Sequence, residues 1–429
     1  MGCGLCALRE SPRCRSRHHR AWGARGGGRG AHRESSVRVS LEGGEQPGRR
    51  SGCGRRLTVS GSPREEEKPA LQLRVIEDSE RDRWNRLAAS TEVADVLQSY
   101  EWGELKRAFG WVPHRVLLEQ EGKPVAQASL LERRLPIGKS LFYCARGPLL
   151  DYGDGGLVRE VMTLLGDYCR RRGGFLLKID PAVERTTADQ TVGALQACGF
   201  RELGDETGFG GTQPRCVMKL ALGPGTDALL AACKPKTRYN IRLAGRRGVE
   251  VRDDCQAEGL RPFYDLLQVT AERDGFVVRS YGYFEKLLAL LAPAGLARLF
   301  LAYCEGEPIA GALVTRFGTT CCYLYGASAN VQRERMPSYL VQWRMIEWAQ
   351  SQGCGEYDFR GVSPNPEADD HLRGLNRFKA GFNARFVEYI GEFDLPLSRP
   401  HYCLWTVGRP AAIKLLKGLR KSPSASSTD

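Results

Sequence analysis

One stretch of this chain occurs twice, and that repeat limits the folds open to it. Gly122-Lys-Pro-Val-Ala-Gln-Ala matches Gly306-Glu-Pro-Ile-Ala-Gly-Ala. Each copy opens a strand-like run after a turn. A second run follows each, Leu141-Phe-Tyr-Cys-Ala-Arg-Gly-Pro in the first half and Cys322-Tyr-Leu-Tyr-Gly-Ala-Ser in the second. Apolar spacing then predicts a helix over Leu157 to Arg172 and another over Ser338 to Gln352. In the latter, Leu340, Val341, Met345, Trp348 and Ala349 share a face, with Pro337 just ahead. Gly173 and Gly353 close the two helices, where left-handed caps are expected. Both helices feed an apolar strand, Phe175-Leu-Leu-Lys-Ile-Asp and Tyr357-Asp-Phe-Arg. The unit strand–turn–strand–helix–strand therefore repeats, which predicts a duplicated α/β (α+β) protein with its seam near Leu222–Asp227.

Residues 1–70 stand outside the repeat. They hold 15 Lys/Arg against 7 Asp/Glu, and so +8 of the net charge of +13, together with 13 of the 50 Gly. Such a segment buries too little apolar surface to offset chain entropy. It reads as a disordered Arg/Gly-rich extension. A nucleic-acid tail is the other reading, but Trp22 alone offers a base something to stack on. No run of about 18 apolar residues is present, so no spanning helix is expected. Leu287 to Cys304 comes nearest and is broken by Pro293, Gly295 and Arg298. Met1 to Arg20 has Arg and His where a secretory leader would be apolar. The 15 cysteines are then expected to be free thiols in a reducing cytoplasm. Neither Cys3/Cys6 nor Cys321/Cys322 has the second half of a zinc site, and no metal is expected.

The repeated unit is the core of GNAT-type acetyltransferases, which bears on fold rather than activity. Those enzymes receive the pyrophosphate of coenzyme A on a Gly-rich turn at a helix N-terminus. Here that position reads Gln332-Arg-Glu-Arg-Met-Pro-Ser, without glycine. Its counterpart, Asp151-Tyr-Gly-Asp-Gly-Gly, carries two aspartates that repel phosphate. Neither half is therefore expected to hold acetyl-CoA in the standard way.

Two further blocks carry charge. Lys234-Pro-Lys-Thr-Arg-Tyr-Asn-Ile-Arg opens the second half as a basic helix. Gly374-Leu-Asn-Arg-Phe-Lys-Ala-Gly-Phe sets Lys379 between Phe378 and Phe382. A lysine there is either held against the core or snorkels to solvent. With these blocks included, the chain resembles the FemABX family of aminoacyl-tRNA-dependent peptidyltransferases over roughly Leu71 to Pro396. The resemblance rests on ordered motifs: Gln98-Ser-Tyr-Glu-Trp-Gly-Glu-Leu-Lys-Arg, Gly147-Pro-Leu-Leu-Asp-Tyr, the Lys234 block, Tyr325-Gly-Ala-Ser with Pro337, Tyr357-Asp-Phe-Arg-Gly-Val, Phe378-Lys379-Ala-Gly-Phe and Glu388-Tyr-Ile-Gly-Glu-Phe-Asp.

The resemblance implies two tandem GNAT-like domains of mixed sheets flanked by helices, at 71–224 and 225–398, with a basic C-terminal helix and tail over 399–429. Some family members carry a helical arm in the second domain. Here Arg247-Gly-Val-Glu-Val runs from helix straight into strand, so no coiled-coil arm is expected. It also implies a reaction without cofactor. An amine on the stem peptide of a peptidoglycan precursor, lipid II or UDP-MurNAc-pentapeptide, attacks the ester of an aminoacyl-tRNA. The product extends an interpeptide bridge of the cell wall. Lys379 and Phe378 fall on the catalytic positions, and Lys106, Thr237, Arg238 and Tyr283 on substrate-binding positions. A cytoplasmic protein is implied, in peripheral contact with the membrane, and the basic run Arg409 to Lys421 is a candidate surface for tRNA or anionic lipid. The alternatives are a GNAT-type N-acyltransferase using acyl-CoA and a non-catalytic precursor-binding protein.

Overall fold

The computed structural model describes residues 70–408, apart from 137, 205–210, 254–256 and 366–371. The expected extension, up to residue 69, and the basic run Arg409 to Lys421 lie outside the described residues. The first half runs β1 (Gln72–Val75), α1 (Arg81–Ala89), α2 (Tyr100–Arg107), β2 (Val112–Gln120), β3 (Lys123–Arg134), β4 (Ser140–Cys144), β5 (Leu149–Leu150), α3 (Gly155–Arg171), β6 (Gly174–Ile179), α4 (Asp189–Ala197), β7 (Arg201–Glu202) and β8 (Cys216–Ala221). Then come α5 (Thr226–Ala232), α6 (Pro235–Arg246), β9 (Glu250–Arg252), α7 (Leu260–Asp274), α8 (Tyr281–Leu291), β10 (Ala297–Cys304), β11 (Glu307–Phe317), β12 (Thr320–Ser328), α9 (Pro337–Ser351), β13 (Glu356–Gly361), α10 (Arg373–Ala380), β14 (Arg385–Glu388), β15 (Phe393–Pro396) and α11 (Arg399–Cys403).

The repeat is visible residue by residue. Hairpins β2–β3 and β10–β11 each turn on Glu-Gly, with φ of 51° and 75° at Glu121 and Gly122 and 56° and 85° at Glu305 and Gly306. Positive φ at both central residues suits the two-residue turn that matches strand twist. After each hairpin a helix crosses over to a parallel strand, α3 between β4 and β6 and α9 between β12 and β13. Asp154 starts α3 by accepting from the amides of Gly156 and Leu157, which satisfies donors left open at a helix start. Gly173 and Gly353, both at φ 74°, close the two crossover helices as expected.

Sheet membership departs from the seam expected at 224/225. The first sheet has the order β1-β2-β3-β4-β6-β15-β7, with β5 on β3, and the second β14-β8-β13-β12-β11-β10-β9. Strand β8, ahead of the seam, pairs with β13, and β15, from the end of the chain, pairs with β6. The halves thus exchange strands reciprocally. Between them lies an apolar layer in which Trp102 and Leu105 of α2 join Phe284 and Leu287 of α8, Leu299 and Leu313 of the second sheet, and Tyr143 of the first. Arg247 leads through Val249 directly into β9, with no helical arm at that point.

Candidate functional site

The second sheet comes apart at one place. Parallel strands β12 and β13 pair only at Thr320–Cys322 with Glu356–Asp358, although β12 continues on β11 as far as Ser328. In the first sheet, β4 and β6 stay laddered from Ser140 to Cys144. Beyond the split, β13 bulges between Asp358 and Gly361. Arg360 there has φ 58°, a left-handed conformation that few non-glycine residues adopt.

Helix α10 lays Lys379 against this bulge. Three residues apart on one helical face, Asn376 and Lys379 are each only 2% exposed. Lys379 Nζ donates to the carbonyls of Gly361 at 2.7 Å and Arg360 at 3.3 Å. Asn376 Oδ1 accepts from the Ser363 amide at 3.1 Å. The ring of Tyr323 lies 5.9 Å from Lys379 Nζ. Burial pushes the Lys379 amine down to about 7, with Asp358 pulling the other way. The lysine therefore does not snorkel. Its neighbour Phe378 packs edge-on against Tyr339 and Phe382, with centroids 4.8 and 5.4 Å away.

A residue from the first half reaches the same bulge. Asp95 accepts from both terminal guanidinium nitrogens of Arg360, at 2.9 and 3.1 Å. The Arg360 amide donates to Asp358 Oδ1 at 2.6 Å. Burial opposes charge on both partners, but each holds the other ionised: Asp95 lies below the usual carboxylate range and Arg360 well above its ordinary value. Asp95 also accepts from the Leu97 amide, starting a short turn that runs into Ser99, the cap of α2.

The last turn of α2 carries Lys106. Its Nζ lies 3.3 Å from the Tyr283 hydroxyl and 4.6 Å from the Trp102 ring centroid. Tyr283 stands at the start of α8, and Arg279 lies over its ring at 4.5 Å. Two cations thus flank one tyrosine, and their charge reaches Tyr325 on β12.

Five of the six candidate residues therefore form two clusters, and the sixth, Arg238, joins neither. Lys106 and Tyr283 meet across the halves. Phe378 and Lys379 sit on the other layer of the second sheet, and Thr237 joins them: a Cβ on Gly381, at the end of α10, would collide with its hydroxyl. Arg238 is turned away. Its guanidinium donates to the carbonyls of Ala231 and Cys233, both at 2.5 Å, where α5 ends. Sequence reasoning missed Asp95, Arg360 and Arg279. Arg360 stood inside a recognised motif and Arg279 four residues ahead of the candidate Tyr283, whereas Asp95, just ahead of the Gln98 motif, lies 265 residues from its partner.

The site is thus a split in one sheet of a duplicated α/β frame, with a buried lysine at the split. The model of the FemAB family matches residues 77–307 and 296–407, so the chain belongs to that family. Among curated relatives, a lipid II:glycine glycyltransferase of Staphylococcus saprophyticus is 29% identical over 395 residues, covering 76% of this chain and 95% of the relative. A protein of the same name from Staphylococcus aureus is 28% identical over 400 residues, with the same coverage. The crystal structure of FemX superposes with a TM-score of 0.72 at 27% identity, over 78% of this chain and 99% of that one.

Proposed function

We propose that this protein transfers an aminoacyl group from aminoacyl-tRNA to an amine on the stem peptide of a peptidoglycan precursor, extending an interpeptide bridge. The observation that carries the reading is Lys379, buried at the β12–β13 split in the segment matched to the family. In the step envisaged, the neutral acceptor amine attacks the ester carbonyl and a tetrahedral oxyanion forms. Collapse makes the amide and breaks the bond to the ribose oxygen, which leaves with the proton lost by the amine. Two carbonyls hold two of the Lys379 N–H groups. As an ammonium the side chain has a third, and that donor serves the oxyanion. Lys106 and Arg279, either side of Tyr283, supply cations for the precursor diphosphate. Phe378 anchors the lysine's helix by packing on Tyr339 and Phe382, and Thr237 packs against the turn that ends it.

Glycine is the first amino acid to test, since the relatives are named glycyltransferases. Purified protein given glycyl-tRNA and lipid II should form a glycyl adduct. Acyl transfer from acetyl-CoA instead, with no use of the charged tRNA, would favour the N-acyltransferase reading. Helix α9 offers coenzyme A no glycine: it begins at Pro337 after Met336, with φ 58°.

A further inference from the structure

The Asp95–Arg360 pair has no part in the step just described, yet it joins the two clusters. We propose that Asp95, acting through Arg360, is a positioning residue for Lys379: the ion pair fixes the left-handed bulge whose carbonyls hold the lysine amine. The proposal rests on the reading of Lys379 given above. Arg360 contributes to the site through its backbone. Its carbonyl and that of Gly361 are the two oxygen acceptors of Lys379 among the described residues. A carbonyl's direction follows the residue's dihedrals, and a left-handed φ on arginine persists only where surroundings enforce it. Three anchors do so. Asp95 takes the guanidinium, Asp358 takes the Arg360 amide, and Asn376 takes the Ser363 amide. Only the first comes from the other half. Because Asp95 also starts the turn leading into α2, one carboxylate links the helix of Lys106 to the cradle of Lys379.

The charged and titratable groups facing this cradle are Asp358 and Arg360 on β13, Asp95 and Arg146 behind them, Lys219 on β8 opposite Asp358, Cys322 and Tyr323 on β12 and Tyr339 on α9. Replacing Asp95 by asparagine removes the closer of two carboxylates on the guanidinium, leaving Asp358 at 3.6 Å, and loosens the two carbonyls. Both changes disfavour an ammonium at Lys379.

The test is Asp95→Asn in the full chain, read in two ways. Turnover with glycyl-tRNA and lipid II should fall about ten-fold or more, while KM for lipid II stays within roughly three-fold. The NMR titration of the Lys379 side chain, which needs no turnover, should move its midpoint down by about half a pH unit or more. If wild type shows no transfer but the midpoint moves, the functional reading fails and the positioning role stands. A folded variant whose midpoint stays put or rises, with turnover unchanged, overturns the proposal. Should Asp95→Asn not melt cooperatively, Asp95→Glu carries the same readouts. It keeps the charge and should recover most of the turnover. Loss of turnover in Asp95→Glu as deep as in a Lys379 variant, with an unmoved midpoint, would also overturn it.

Discussion

Lys379 is asked to be buried and charged at once, and both demands are measurable. Its folded pKa of about 7 lies below the ordinary value of 10.5. Between those values the unfolded chain binds more protons, so stability rises with pH across that window, and the penalty for burying the ammonium is full below it. Lys379→Met has no such term. Melting wild type and Lys379→Met at pH 6.5 and 9.5 should show wild type gaining on the variant by on the order of 3 kcal/mol; no relative gain would mean that the amine titrates normally. The same pKa shapes the rate. The acceptor amine must be neutral, so the rate rises with pH, and loss of the Lys379 ammonium should flatten that rise above about 7. A steeper slope below 7 than above, with no plateau, would make the neutral lysine a base instead. Arg238 tells a different story at this scale. Its motif points to the precursor, but its guanidinium ends α5. Arg238→Ala should cost about 1–2 kcal/mol of stability with little change in KM for lipid II. A raised KM at unchanged stability would return it to the binding site.

At the level of elements, much was legible because it is local. The Glu-Gly hairpins, the glycine-closed helices and the crossover strands follow from turn chemistry and periodicity that a short window contains. The strand exchange was not legible. Phe393-Asp-Leu-Pro is a half-buried strand pattern that fits either sheet, and its partner is chosen by contacts far away in sequence. Asp95 was hidden for the same reason. The exchange has a consequence: each half alone lacks a strand held by the other. Chains of residues 70–224 and 225–408, expressed separately, should show no cooperative melting, whereas mixing or co-expression should restore it. Independent folding of either half would show that the exchanged strand is dispensable.

For the whole molecule, the family match begins at residue 77 and the described structure at residue 70. A chain starting at Ala70 should keep both the melting temperature and the transfer rate of the full chain, and a large loss of either would give residues 1–69 a role. No helix among the described residues is long and apolar enough to cross a membrane. The most direct test of the account is a single assay: glycyl-tRNA, lipid II and acetyl-CoA offered together to wild type and to Lys379→Met, with adducts identified by mass. We expect wild type to add glycine to lipid II and to leave acetyl-CoA untouched. Folded Lys379→Met should be slower by about a hundred-fold or more. Acetylated product, or near-normal glycyl transfer by the variant, would contradict the account.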